Sequence, residues 1–536
     1  MFLRILLFSV TIFLVIRVLL HHFRRSVISS LPGPTNTSYL AGHFKELLRS
    51  EEITDAPLDW SANYGTAFKL HGEMGMKMLC ISDPKAIQYV LNTSGYNFPK
   101  PLNDRILLTI ILGSGILSVE GAHHARQRKI LNPAFSSSTL KEFLPIFRQK
   151  STKLVNKLKE EVDRTTAGSN VVDLVPWLSR ITLDIIGAAS ADYDFEALDG
   201  VENNKLAQAY NNLLNCMKIA AEVAQEVVDK QTQLYLQGKE GSKDLMSLLA
   251  KKTRKHLVTN TSIVHANLSE DPKTKLPMSE VLAQFTYELH LPISAGSNTK
   301  FRTFFLAGRE TTGSAVVWTL YELSKHFEWQ RKVREEIAKT RSQASERGDS
   351  ELTVADLDSM SQLRAVMKET LRLYPINSFL TRQAGKDDCI PLSYPVPNAN
   401  GKMLSEIPIN RGERVLVSFI AYNRIIWSLK SVWGEDADEW RPERFLEGNG
   451  NTTQSQVNLG LVANLATFSS GVRGCIGWRF ALLEMQAILI ELLENFEFSP
   501  PPGNVEIIRG STGTMAPMVK GSTSGRTQLP ITLTSL

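Results

Sequence analysis

The amino-acid sequence predicts a mainly α protein with small β sheets, led by one apolar N-terminal helix, and three observations predict it. Apolar residues recur at i, i+3 and i+4 through Phe135–Arg164, Thr182–Ala191, Phe304–Lys325, Trp329–Gln343, Leu363–Tyr374 and Trp478–Phe496, the spacing of helices with one buried face. Strand-like runs are short and few: Ala67–Leu70, Lys77–Ile81, Arg414–Ser418 and a stretch near the C-terminus. Phe2 to Phe23 is apolar apart from Arg4, Arg17, His21, His22 and a few hydroxyls.

That N-terminal stretch is about as long as a bilayer span requires. Its uncharged centre, Ile5–Ile16, would by itself suit a signal peptide, but no small-x-small cleavage site follows. Arg24, Arg25 and the stiff Leu31-Pro32-Gly33-Pro34 come next. The excess of positive charge on the C-terminal side predicts an uncleaved single-pass anchor with a cytosolic body. A signal peptide and a helix lying on the membrane surface are the alternatives. Residues 1–30 are thus expected to be an anchor with a basic flank, and 31–536 one large, mostly helical unit, because no polar linker or internal repeat divides it.

Composition narrows the function classes. Of the 536 residues 43% are hydrophobic, and Gly and Pro are ordinary, so a disordered or collagen-like chain is excluded. Cys80, Cys216, Cys389 and Cys475 are too few and too scattered for a disulfide scaffold, and no C-x-x-C pair offers a zinc or redox site. A net charge of +5 over this length gives no reason to expect a nucleic-acid partner. The five N-x-S/T sites, at Asn36, Asn92, Asn260, Asn267 and Asn451, are inert if the body is cytosolic.

The most informative stretch is Phe468-Ser469-Ser470-Gly471-Val472-Arg473-Gly474-Cys475-Ile476-Gly477, ahead of the apolar helix that starts at Trp478. Gly471, Gly474 and Gly477 allow turns that a Cβ forbids and a close approach to a flat object. Cys475 at a helix N-terminus is expected to favour the thiolate, and Arg473 is placed to meet a carboxylate or phosphate. A thiolate, a close planar face and an Arg for a propionate describe a proximal haem ligand. The bland alternative is a buried structural cysteine in a glycine turn.

Here the chain resembles the cytochrome P-450 superfamily, whose F-x-x-G-x-R-x-C-x-G signature is matched at Phe468, Gly471, Arg473, Cys475 and Gly477. Of five Glu-x-x-Arg pairs, only Glu369/Arg372 has the family context: an amphipathic helix upstream, Leu373-Tyr374-Pro375 after it, and Trp440-Arg441-Pro442-Glu443-Arg444-Phe445 beyond. The resemblance implies that this pair locks with Arg444 or Arg441 behind the haem, a structural role. Ala307-Gly308-Arg309-Glu310-Thr311-Thr312 is similar to the family's oxygen-site pattern, which implies Glu310 as acid and Thr311 as alcohol in proton delivery beside a small-residue notch. Its bland alternative is a packed helix with an exposed Glu and a back-bonding Thr. His124-x-x-x-Arg128 stands where many members have Trp-x-x-x-Arg, a fungal-type variant in which both side chains would donate to propionates, and Arg382 is a further propionate candidate. Thr514–Gly521 is similar to the last substrate-lining turn.

What the resemblance implies is a membrane-anchored haem-thiolate monooxygenase of the endoplasmic reticulum. Its cofactor would be haem b with an axial cysteine thiolate. Its partners would be O2, a small hydrophobic substrate, membrane lipid and a separate NADPH-cytochrome P-450 reductase, since Gly113-Ser114-Gly115 fails the dinucleotide pattern. The reductase would meet the cysteine face, where Arg126, Arg128 and Lys129 offer positive charge. A haem-thiolate isomerase or dehydratase, which needs no NADPH, and an inactive haem-binding paralogue are the other classes. The chain departs from the family's pattern at Asn204–Lys230, too short for the expected lid, at Tyr287–Arg302, which breaks an expected long helix, and at Lys251–Ser262 and Ile425–Leu429, which look inserted.

Overall fold

The computed structural model describes residues 26–49, 52–164, 170–200, 303–424, 433, 436–446, 459–501, 503, 505–511, 513–522 and 526–536. The N-terminal apolar segment lies outside them, as do Asn204–Lys230, Lys251–Ser262, Tyr287–Arg302 and Ile425–Leu429. Among the described residues no helix is long and apolar enough to cross a membrane.

The principal helices are α1 (Asp55–Tyr64), α2 (Leu102–Leu112), α3 (Gly121–Leu131), α4 (Leu144–Arg164), α5 (Leu174–Ala191), α6 (Thr303–Lys325), α7 (Phe327–Glu346), α8 (Ser361–Leu373) and α9 (Trp478–Asn495). The run Phe135–Arg164, expected to be one helix, is broken: a 3-10 turn ends at Phe135, a short helix spans Ser137–Leu140, and α4 begins at Leu144. Pro133 and the serines that follow it account for the break, since both favour turns over helix interiors. α4 then buries Leu144, Phe147, Leu154, Leu158 and Val162, the predicted stripe. α9 is buried on nearly every side, through Phe480, Leu483, Met485, Ile488, Leu489 and Leu492. Its apolarity all round is what a helix needs at the centre of a large core.

Four small sheets flank the helices. The strands are β1 (Ala67–His71), β2 (Lys77–Ile81), β3 (Val171–Asp173), β4 (Phe379–Gln383), β5 (Asp388–Pro397), β6 (Met403–Ile409), β7 (Arg414–Ser418), β8 (Phe496–Ser499), β9 (Ile507–Ser511), β10 (Met515–Val519) and β11 (Pro530–Ser535). The largest sheet runs β1-β2-β7-β4, with β2 and β7 parallel. The others are β3-β11-β8, β5-β6 and β9-β10. Strands β3 to β6 were not legible as strands in the sequence. β5 and β6 carry Pro and charge and keep one face exposed, so their apolar alternation is weak.

Two features of this frame matter for the site. α6 packs across α5 and against α9, in the main core. Gly308 lies at the α5–α6 crossing: a Cβ there would meet Ile186 Cγ1 at 2.9 Å. Gly308 therefore admits α5 at this crossing.

Candidate active site

Cys475 closes the loop between Asn464 and α9. Ser469, at φ 57, and Gly471, at φ 65, reverse the chain, and the Cys475 N–H donates to the Phe468 carbonyl at 2.8 Å. A Cβ on Gly471 would come within 2.1 Å of the Leu91 carbonyl oxygen, so glycine is obligatory there. Gly477 differs. It caps α9 at φ −92, and among the described residues a Cβ would touch only Phe135, at 3.7 Å. Of the two reasons given for these glycines, a turn that forbids a Cβ and close approach to a flat object, the described residues supply the first at 471 and not at 477.

The Cys475 side chain is accessible to solvent yet lies deep in the protein, where burial pushes its thiol up while the Gly477 N–H and Arg128 pull it back. The Gly477 N–H and Arg128 favour the thiolate against burial, and a bound cation would add to them.

A cluster of basic groups stands beside this loop. Arg128 donates through Nη1 to the Gly474 carbonyl at 2.5 Å. His124 is buried, and its Nδ1 pairs with the Tyr96 hydroxyl at 3.0 Å. Burial, then the charges of Arg473, Lys100, Arg128 and Arg382, push His124 down to about 3. Arg382, on β4, is buried and donates to its neighbour's carbonyl, Thr381 O, at 2.7 Å. Burial and Arg473 lower it to about 10, against the pull of Glu120 and Asp104. Burial takes Lys100 down to about 8, with Glu120 opposing. Arg473 pairs with the Glu120 carboxylate, while its Nε is buried without a partner among the described residues.

These residues fit a haem. Positive charge from Lys100, Arg128, Arg382 and Arg473 exceeds the negative charge of Glu120 and Asp104, which two propionates would offset. The orphaned Nε of Arg473 would supply a donor for one of them, and the Cys475 thiol would supply a thiolate ligand for the iron.

The second group lies mid-way along α6. Ala307 is exposed and Gly308 to Thr311 are part-exposed, while Thr303–Phe305 and Thr312–Gly313 on either side are buried. The Thr311 hydroxyl donates to the Ala307 carbonyl at 2.5 Å, the back-bond of the bland alternative, without leaving the accessible strip. Glu310 pairs with Arg309 at 3.3 Å and stays nearly half exposed. Thr182 of α5 donates to the Arg309 carbonyl at 2.8 Å, which fixes the helix at this level.

On α8, whose Leu371 carbonyl accepts from Thr467 at the start of the cysteine loop at 2.6 Å, Arg372 donates through Nε to Glu369 Oε2 at 2.7 Å and through Nη2 to Oε1 at 2.8 Å, both side chains fully buried. Of the two candidates for third member, Arg444 uses its side chain, with Nε 3.3 Å from Glu369 Oε1. Arg441 uses its backbone N–H, at 2.7 Å. Thr514–Gly521 contributes strand β10, tied to the segment that follows α8 by Met515 N to Ile376 O at 2.8 Å.

The Cytochrome P450 family model matches residues 31–521. The chain belongs to the cytochrome P450 family. Cytochrome P450 monooxygenase 128 of Postia placenta is 32% identical over 94% of this chain and 92% of its own length. Cytochrome P450 monooxygenase 205 of the same fungus is 30% identical over 94% and 92%. Cytochrome P450 monooxygenase claO of Ampulloclitocybe clavipes is 30% identical over 98% and 97%. The protein is accordingly an oxidoreductase of the P450 monooxygenase type, with the family's mainly helical fold, haem cofactor and cysteine-thiolate iron ligand, its use of O2 and substrate, and its need of a redox partner.

Sequence reasoning missed Lys100, Tyr96 and Glu120 as members of the basic cluster. Lys100 and Tyr96 lie over 370 positions from Cys475 with no spacing that ties them to it. Glu120 had a signal: a carboxylate directly ahead of Gly121, at the start of a helix that carries the His and Arg.

Proposed function

We propose that Cys475 is the axial iron ligand of a haem-thiolate monooxygenase formed by residues 31–536, which inserts one atom of O2 into a small hydrophobic substrate. The observation that carries this reading is the Cys475 thiol, accessible yet deep, beside a cluster with surplus positive charge and a free Arg473 donor. When bound, the haem supplies O2 binding and electron transfer, and thiolate ligation favours O–O cleavage. The chain's own residues orient and protonate. Arg473, Arg382 and Lys100 meet the propionates, with His124 held by Tyr96 as a further donor. Arg128 braces the cysteine loop through Gly474. Glu310 delivers protons to the Thr311 hydroxyl, which passes them on at the accessible strip of α6. Glu369, Arg372 and Arg444 hold the loop from behind.

Residues 1–30 act as a single-pass anchor in the endoplasmic reticulum membrane, with the body cytosolic, and the hydrophobic substrate arrives from the lipid. Electrons come from NADPH through a cytochrome P450 reductase that docks near Arg126, Arg128 and Lys129. The test is the carbon-monoxide difference spectrum of reduced membranes carrying the full chain, beside Cys475→Ala. A red-shifted Soret band that the variant loses supports the assignment. A band that persists in Cys475→Ala, or none from the folded parent, overturns it.

A further inference from the structure

Glu120 touches more of the basic cluster than any residue the sequence singled out. Its Oε2 accepts from Arg473 Nη2, and its Oε1 from the Lys100 backbone N–H at 3.1 Å and Lys100 Nζ at 3.3 Å. Its carbonyl receives the His124 N–H at 3.4 Å, so the same residue starts the helix that carries His124 and Arg128. The carboxylate is 11% exposed.

The consequence for Arg473 is geometric. Its Nη2 is held by Glu120 and its Nη1 points to the Val119 carbonyl at 3.5 Å. Its guanidinium lies over the Tyr96 ring, 5.2 Å from the centroid. These contacts use two of the five guanidinium N–H donors, and the Tyr96 ring covers one face. Of the rest, Nε is buried and unpartnered among the described residues. A carboxylate that merely neutralised Arg473 would not need the second grip on Lys100.

Resting on the haem-thiolate reading above, we propose that Glu120 is a positioning residue for the haem: it fixes the Nη edge of Arg473 so that Nε meets a propionate, and its charge holds down the reduction potential of the iron. The electrostatic half follows from sign alone. Adding an electron to the haem is opposed by a nearby negative charge and assisted by a nearby positive one. Glu120 and Lys100, in contact with one another, must therefore act in opposite directions. Loss of a packing role would not produce that sign reversal.

The experiment uses the full chain in membranes, as parent, Glu120→Gln, Glu120→Ala and Lys100→Met. Each is first checked for the red-shifted carbon-monoxide band. Absence of the band in the parent refutes the haem-thiolate reading and is thereby distinguished from failure of this proposal. Midpoint potentials and the rate of haem transfer to apomyoglobin are then measured. Glu120→Gln removes the charge and keeps one of the two acceptor oxygens, so it is expected to shift the one-electron equilibrium several-fold toward reduced iron, about tenfold at most (59 mV), with haem transfer between the rates of the parent and Glu120→Ala. Lys100→Met is expected to shift it the other way. Glu120→Ala, which frees Arg473, is expected to release haem about tenfold faster. If the Ala chain does not fold, the Gln and Met chains carry the test. An unchanged potential in Glu120→Gln, or shifts of the same sign in Gln and Met, overturns the proposal.

Discussion

Arg128 Nη1 donates to the carbonyl of Gly474, the residue before Cys475, at 2.5 Å. One charge-assisted bond thus ties helix α3 to the loop that presents the thiol. The carbonyl belongs to a buried glycine, so removing the donor costs about 1.5–3 kcal/mol of local stability. Arg128→Met is expected to fold, to lower the ratio of haem to protein, and to shorten the lifetime of the reduced carbon-monoxide band. Arg128→Lys keeps the charge but loses the planar fork, and its haem content should fall between the two. Parental haem content in Arg128→Met would show that the loop needs no brace.

The buried Glu369–Arg372 pair is a stronger constraint. Both side chains are 0% exposed, and Arg372 also donates to the carbonyls of Ala437 at 2.5 Å and Glu439 at 3.0 Å. Removing one partner strands a charge without water, which typically costs about 3–5 kcal/mol. Glu369→Ala should therefore leave little folded protein. Its urea midpoint, where measurable, should fall by more than that of any single exposed Glu-to-Ala change, such as Glu335→Ala.

Much of this was legible in the sequence, because the cysteine loop and α9 are local. A glycine turn, an Arg, a Cys and an apolar helix sit within thirty positions of one another. The Glu369 network was legible only through its likeness to a family motif, since its partners at 437, 439, 441 and 444 are brought together by the fold. The roles of the glycines were not legible. Whether a glycine admits a neighbouring helix, as at 308, or reverses a loop, as at 471, depends on what stands opposite it. Glu120 was hidden for the same reason, since its partners come from positions 100 and 473.

Asp184 gives a pH dependence. It is fully buried and accepts from the N–H groups of Ala197 at 2.8 Å and Leu198 at 3.1 Å. Burial nevertheless raises it from 3.8 to about 6. The native state therefore holds this proton more tightly than the unfolded chain. Its contribution to stability is greatest below about pH 4 and is lost as pH rises toward 6, by roughly 3 kcal/mol at about 1.4 per pH unit. The difference in unfolding free energy between the parent and Asp184→Asn should change by that order between pH 4 and 7, in favour of Asn at the higher pH. A difference that stays flat would refute it.

Thr311 separates proton delivery from structure. Its hydroxyl already bonds to its own helix, so Thr311→Val should move the thermal midpoint little, within about 0.5 kcal/mol. Product formation should fall by about 100-fold, the scale of general acid–base help. Normal product yield from Thr311→Val would place the proton route elsewhere.

Gly471 and Gly477 test where the haem face lies. At 471 a methyl would collide with backbone, the Leu91 carbonyl at 2.1 Å, and the residue sits at φ 65, so Gly471→Ala should displace the loop and destabilise the protein even without haem. At 477 a methyl meets only a ring carbon of Phe135 at an ordinary 3.7 Å, and φ −92 suits any residue. Gly477→Ala should then be as stable as the parent in the haem-free state, or about 0.5 kcal/mol more stable through its stiffer unfolded chain. Among the described residues nothing demands glycine at 477, so a demand from a flat group lying against the loop is what the variant tests. Haem titration of the two variants decides it: Gly477→Ala is expected to unfold like the parent and bind haem more weakly. If it binds haem like the parent, the haem face does not reach Gly477.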